Sequence, residues 1–222
     1  MKKLLRDSLE KPIGFPPCLQ MFVPGDQVVI APEPFFAENP VLLTELVAYF
    51  LESDENRYDI SILLLEPEAG LFTDVFQKSL PMKMTEKVKI LRHNPSQPSC
   101  FAMFAVKEDD KPILANRFLV EADVILPVGH YRKTFGKEYY GIHTPLYPRF
   151  SDHETQKRFQ IFESAKENQK MRQVLEKEME DAAAKLGVCF TIQVCTDFHD
   201  KIVGIFAGEV SQVKEHLAKI CQ

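Results

Sequence analysis

The chain has 222 residues, 45% of them apolar and 27% charged, with a net charge of −5. These values fit one ordinary globular core and exclude disordered and fibrous classes. The acidic balance excludes a general nucleic-acid binder, whose phosphate contacts call for a basic face, and no apolar run approaches the ~20 residues that span a bilayer.

The opening MKKLLRDSLEKP lacks the long apolar segment of a signal peptide, and the five cysteines form no C-x-x-C pair. A reducing, cytoplasmic setting is therefore expected, without membrane contact. Residues 3 to 10 read as a short helix, followed by a connector stiffened by Pro12, Pro16 and Pro17, because proline fixes φ and lacks a donor. The turn Pro24-Gly25-Asp26 leads into a first strand from Gln27 to Ala31. Asn39 and Pro40 suit the cap and first position of a helix running to Glu52. Its Val41, Leu42, Leu46, Val47, Phe50 and Leu51 form a stripe that needs a sheet to cover it.

Asp59 to Leu65 is apolar enough for a central parallel strand. Thr73 to Leu80 reads as a helix ended by Pro81, and Lys87 to Leu91 as a strand running into a turn at His93-Asn94-Pro95-Ser96. Cys100 to Val106 and Pro112 to Leu114 form a strand pair about the turn at 107–110. Asn116 to Glu121 is a helical turn, and Val124 to Val128 a buried strand that breaks at Gly129. A long charged helical stretch, Glu154 to Leu186, is broken near Ala165 and stopped by Gly187. Phe190 to Val194 and Lys201 to Phe206 read as a hairpin, and Ser211 to Ile220 as a last helix with Val213, Leu217 and Ile220 inward.

This order predicts an α/β fold: a three-layer, mostly parallel Rossmann-like sheet with helices on both faces, plus a C-terminal strand pair and helix. One domain covers 1–222, with a connector (1–26), an α/β core (27–150) and a helix, strand pair and helix (151–222). In such sheets ligands collect beyond the carboxyl ends of strands. The segment after Gly129 carries His130, Arg132, Lys133, Lys137 and His143. Arg132, Lys133 and Lys137 suit a phosphate or carboxylate, and Gly136 and Gly141 let a backbone approach it. The competing reading is a solvated loop whose charges meet only water.

His130, His143 and His153 offer imidazoles to nickel or zinc, yet their spacing matches no compact ligand motif. Structural or surface roles compete for them, as for His93 and His199 in expected turns, and no metal site is assigned. Glu33, just past the first strand, joins His143 as a catalytic candidate, against the reading of a solvated carboxylate.

Asn116-Arg117, Ala122-Asp123, Gly129, Gly141, Pro148 and Glu154-Thr155 fall in the order of a known pattern. Through them the chain resembles the N-terminal domain of the nickel-dependent lactate racemase family. The resemblance implies a second domain that supplies part of the cleft and is absent from this chain. It also implies a nickel-carrying pincer nucleotide tethered to a lysine, with a histidine on the metal and other histidines moving the proton. Carried across from Gly129, a proton-moving histidine falls on Thr134, the tethering lysine on Thr144 and the metal histidine on Gln160. Threonine has no amine for the link, and glutamine is a poor nickel ligand. The family's nucleotide-binding D-x-T-R falls near Pro32 to Phe36, with phenylalanine for arginine, and its H-R-x-x-T keeps only Thr73.

The implied protein is a divergent member lacking the reactive residues. It binds a small anionic ligand or nucleotide through His130, Arg132, Lys133, Lys137 and Thr144, without a cofactor unless the nickel-pincer chemistry is retained. The alternative is an isomerase, a racemase of small 2-hydroxy acids. There Arg132 and Lys137 hold a carboxylate and His143 moves a proton, in a cleft completed by a homodimer, a second domain or a partner.

Overall fold

The computed structural model describes the chain except residues 39, 54–57, 107–109, 111, 132–141, 165–168, 198 and 221–222, and the side chains at 37–38, 53, 71, 161–164 and 169–172. After helix α1 (Lys2–Glu10), strand β1 (Gln27–Pro32), the short α2 (Pro34–Glu38), α3 (Val41–Ser53), β2 (Asp59–Leu65), α4 (Glu66–Ser79), the single turn α5 (Met82–Thr85) and β3 (Val88–His93) alternate strand with helix. A separate antiparallel pair follows, β4 (Phe101–Val106) with β5 (Pro112–Asn116). The chain then runs through the short helix α6 (Arg117–Val120), β6 (Val124–Tyr131), α7 (His153–Ser164), α8 (Gln169–Lys185), β7 (Phe190–Thr196), β8 (Ile202–Glu209) and α9 (Val210–Ile220).

Six strands form the main sheet in the order β3-β2-β1-β6-β7-β8, all parallel except β8. The expected α/β architecture is thus present. The expected C-terminal strand pair, β7 and β8, completes this sheet on its parallel neighbour β6. Among the described residues no helix is long and apolar enough to cross a membrane.

The strands have near-continuous apolar runs because both faces are covered. Val28 and Ile30 of β1, Ile60, Ile62 and Leu64 of β2, and Leu126 and Val128 of β6 pack with α1, α3 and α4. The alternate residues Val29, Ala31, Leu63 and Ile125 pack with Phe159 of α7 and with Leu175, Met179 and Ala183 of α8. Val213 and Leu217 of α9 cover Cys195 of β7.

Several local expectations change. α4 begins at Glu66, not Thr73, with Pro67 in its first turn, where the missing N–H costs nothing. Val41 and Ile220 are exposed rather than inward, because each sits at a helix end beyond the sheet's reach. The cap Asn39 and the break near Ala165 lie outside the described residues. His93 closes β3 instead of turning, and β6 runs through Gly129 to Tyr131. Gly129 serves close approach rather than a break: a Cβ there would lie 2.5 Å from Oε1 of Gln193 on the paired strand.

Candidate functional site at the carboxyl edge of the sheet

Because the strands β1, β2, β3, β6 and β7 are parallel, their carboxyl ends meet along one edge. Glu33 leaves β1 there and is buried. One of its carboxylate oxygens accepts the His130 amide N–H at 3.0 Å, and the other accepts the Thr144 hydroxyl. Its own amide donates to the Val128 carbonyl at 3.0 Å. A carboxylate at this depth needs such donors, since an unpaired buried charge is strongly disfavoured. Glu33 is therefore not the solvated carboxylate that competed with a functional role.

Arg149 ties the same edge together. Its Nε donates to the Pro32 carbonyl at 3.1 Å, and Nη2 forms an ion pair with Glu68, at the start of α4. Glu68 also accepts the Leu65 amide at 3.3 Å. Burial lowers the arginine's pKa, and the charges of Glu68 and Glu33 act against that fall. The guanidinium lies over the Phe150 ring, 5.2 Å from its centroid. Glu33 and Arg149 thus bind segment 142–150 to the exits of β1 and β2 at two separate points.

A second polar node joins β3, β5 and the residue that follows this segment. His93 is fully buried; one ring nitrogen lies 3.1 Å from the Ser151 carbonyl and the other 3.0 Å from Nδ2 of Asn116. Chemistry fixes the tautomer: Nε2–H donates to the carbonyl, so Nδ1 accepts from the Asn116 amide. Asn116 Oδ1 in turn caps α6 by accepting the Phe118 amide at 3.0 Å. Burial, aided by the Arg149 charge and opposed by the Ser151 bond, pushes the His93 pKa down to about 4.

Of the sequence candidates, the structure brings Glu33, His130 and Thr144 together. The His130 ring packs against Phe35, with centroids 4.5 Å apart, and its Nε2 lies 2.8 Å from the Thr196 hydroxyl. His143 stands elsewhere, near Glu180 of α8 and Lys214 of α9, which form an ion pair. Burial lowers its pKa to about 4, with Glu180 opposing and Lys214 assisting. Arg132, Lys133, Thr134, Gly136, Lys137 and Gly141 lie outside the described residues. His153 begins α7 and His199 lies in the turn before β8, both exposed. Arg149 and Glu68 escaped sequence reasoning, while His93 was weighed only as a histidine in an expected turn and Asn116 only as part of the resemblance. Their partners are remote in sequence, so no local spacing reveals them.

At the two described positions that the resemblance assigns to the tether and the metal ligand, the side chains offer neither an amine nor an imidazole. Thr144 has a hydroxyl that donates to Glu33, and Gln160 is exposed on α7. Among the described residues no group of three or more histidine, cysteine, aspartate or glutamate side chains is placed to hold a metal ion. The arrangement can anchor segment 142–150 and hold neutral imidazoles at physiological pH.

No family model matches the chain, and no curated protein does. Among solved structures it is similar to the lactate racemase apoprotein from Thermoanaerobacterium thermosaccharolyticum, with a TM-score of 0.73 at 16% sequence identity. The alignment covers 99% of this chain and 54% of that one, so the chain spans about half the length of that neighbour. At this identity the likeness concerns architecture: the protein has a lactate-racemase-like fold.

Proposed function

We propose that this protein is a divergent lactate-racemase-like scaffold that binds a small anionic molecule or nucleotide without nickel-pincer chemistry. One observation carries the reading: the side chain at the resemblance's tethering position, Thr144, is a hydroxyl bonded to buried Glu33. A thioamide link through an amine has no side-chain nitrogen to form on there. The cations Arg132, Lys133 and Lys137, which follow β6 in sequence, are the groups assigned to the anion, with His130 and Thr144, both hydrogen-bonded to Glu33, on either side of them in sequence.

A second reading keeps the activity, a racemase of small 2-hydroxy acids completed by another domain or subunit. It draws support from the fraction of the structural neighbour that this chain covers, 54%, because a catalytic cleft needs two walls. Elemental analysis of purified protein and a lactate racemisation assay separate the two. The first reading expects no stoichiometric nickel and no racemisation; stoichiometric nickel would overturn it. A thermal-shift screen of nucleotides and small carboxylates then tests binding. Arg132→Ala with Lys137→Ala should abolish the ligand-induced shift and leave the unliganded midpoint unchanged. An equal loss of unliganded stability would make the two residues structural.

A further inference from the structure

We infer that Thr196, at the end of β7, is a further contact for the anion: its hydroxyl, held by His130, gives its own proton to an oxyanion at the carboxyl edge of the sheet. This role rests on the anion-binding reading above and extends it to a residue that no sequence signal singled out.

The register brings the two side chains together. His130 of β6 lies opposite Val194 of β7. Residues two apart on a strand share a face, so Thr196 follows Val194 on the face that His130 occupies. Two residues earlier this face is apolar: Val128 lies opposite Ile192, and both pack in the core with Val194. At the strand ends it turns polar, and His130 Nε2 lies 2.8 Å from the Thr196 hydroxyl. The pairing of β7 with β8 shifts register between Cys195 and Thr196, an irregularity of the kind that re-aims a side chain beside a site. Valine has threonine's shape without its hydroxyl, so packing alone does not select threonine here.

Counting protons gives the chemistry. A threonine hydroxyl has one proton and two lone pairs. His130 is 2% exposed whereas Thr196 is half-buried, and among the described residues the hydroxyl has His130 as its one partner. With a proton on Nε2, the ring donates to the threonine oxygen and leaves the threonine proton for an acceptor at the edge. With the proton on Nδ1 alone, the hydroxyl donates to the ring and offers an incoming group only lone pairs, which repel an anion. An anion therefore selects the first arrangement. Two carboxylates border this edge, and both already accept donors. Glu33 takes the His130 amide and the Thr144 hydroxyl, and Asp197 Oδ1 takes the His199 and Lys201 amides at 2.8 and 3.0 Å.

Calorimetric titration of wild type, Thr196→Val and Thr196→Ser with inorganic phosphate, lactate and adenosine monophosphate tests the role. A hydrogen bond to a charged group is worth about tenfold to hundredfold in affinity. Thr196→Val should therefore bind the anion that wild type takes at least about tenfold more weakly, and Thr196→Ser should regain most of that loss. A hydroxyl that serves only to satisfy His130 would instead lower the melting midpoint of Thr196→Val and leave its affinity unchanged. Nitrogen-15 spectra of the imidazoles at pH ~8, above the ordinary histidine range, read the proton directly, with the His130 signals assigned by their loss in His130→Gln. In the anion-bound protein the proton should sit on Nε2. A wild type that binds none of the three anions overturns the anion-binding reading and this role with it. Binding that Thr196→Val leaves intact, or an anion-bound His130 with its proton on Nδ1 alone, overturns the role of Thr196 and leaves the anion-binding reading standing.

Discussion

Replacing Arg149 by alanine removes the group that joins segment 142–150 to two strand exits at once. Its side chain is only 9% exposed, and its partner Glu68 is 20% exposed. Removing one member of a buried ion pair costs about 3–5 kcal/mol, because the remaining charge is left without compensation. Glu68 lies near enough to solvent to regain part of its hydration, which points to the lower end, about 3 kcal/mol. The Pro32 carbonyl also loses its 3.1 Å donor. For a chain of this size 1 kcal/mol shifts the midpoint by about 2–4 °C, so the variant should melt about 6–12 °C lower. Thermal unfolding followed by circular dichroism, with urea titration at fixed temperature, measures both quantities. Glu68→Leu alone and Arg149→Met alone should also destabilise, each by stranding the other's charge. The double variant Arg149→Met, Glu68→Leu should be less damaged than the sum of the singles, with a coupling of about 1–3 kcal/mol. A midpoint within about 2 °C of wild type for Arg149→Ala, or strictly additive losses, would refute the view that this pair anchors the segment.

Acid should weaken the fold through its buried imidazoles. His93 sits at about 4 in the folded protein, below the ordinary value of about 6.5, so the unfolded state binds its proton first. The associated stability is whole above pH ~6.5 and is lost as pH falls towards 4, by about 3 kcal/mol in full. His143, also held at about 4, adds loss of the same sign over the same window. Urea unfolding at two pH values should show a smaller acid loss for His93→Gln than for wild type; an unchanged difference would show that His93 does not carry it. At Gly129 an added methyl would press on the Gln193 amide at 2.5 Å. That amide donates to the Thr191 hydroxyl at 2.8 Å and cannot swing away freely, so Gly129→Ala should cost about 1–3 kcal/mol by overpacking. Gln193→Ala in the same chain should relieve part of that cost, and additive losses would show that the two residues do not compete for space.

Elements whose signals are local were legible in the sequence. Asp59 to Leu65 was bounded correctly at both ends, because an apolar run between polar neighbours leaves one reading. Gly187 ends α8 as expected, at φ +75°, with the Val188 amide returning to the Ala183 carbonyl at 3.0 Å. The start of α4 was missed because Glu66-Pro67-Glu68 looks like a connector until the chain is seen to enter the helix directly from β2. The polar nodes were not legible in detail. Glu33 finds its donors 97 and 111 residues away and Arg149 its carbonyl 117 residues away. His93 is satisfied by Asn116 and Ser151, which lie 23 and 58 residues further on. Periodicity and spacing report on neighbours within a few residues, so they marked Glu33 as interesting without showing what held it.

The way these nodes are satisfied bears on where a ligand's charge could be met. At the carboxyl edge, Glu33 accepts from His130 and Thr144, and Arg149 is paired with Glu68 and the Pro32 carbonyl. Drawing Arg149 onto an incoming anion would strand Glu68, at a cost comparable to the few kcal/mol gained from one charge-assisted contact. An anion therefore gains little from that arginine. By sequence the nearest group of cations to the β6 exit is Arg132, Lys133 and Lys137. If an anion that binds this protein loses its affinity on Arg149→Met, Glu68→Leu but keeps it on Arg132→Ala, Lys137→Ala, the division of labour between anchoring and binding argued from this geometry is reversed.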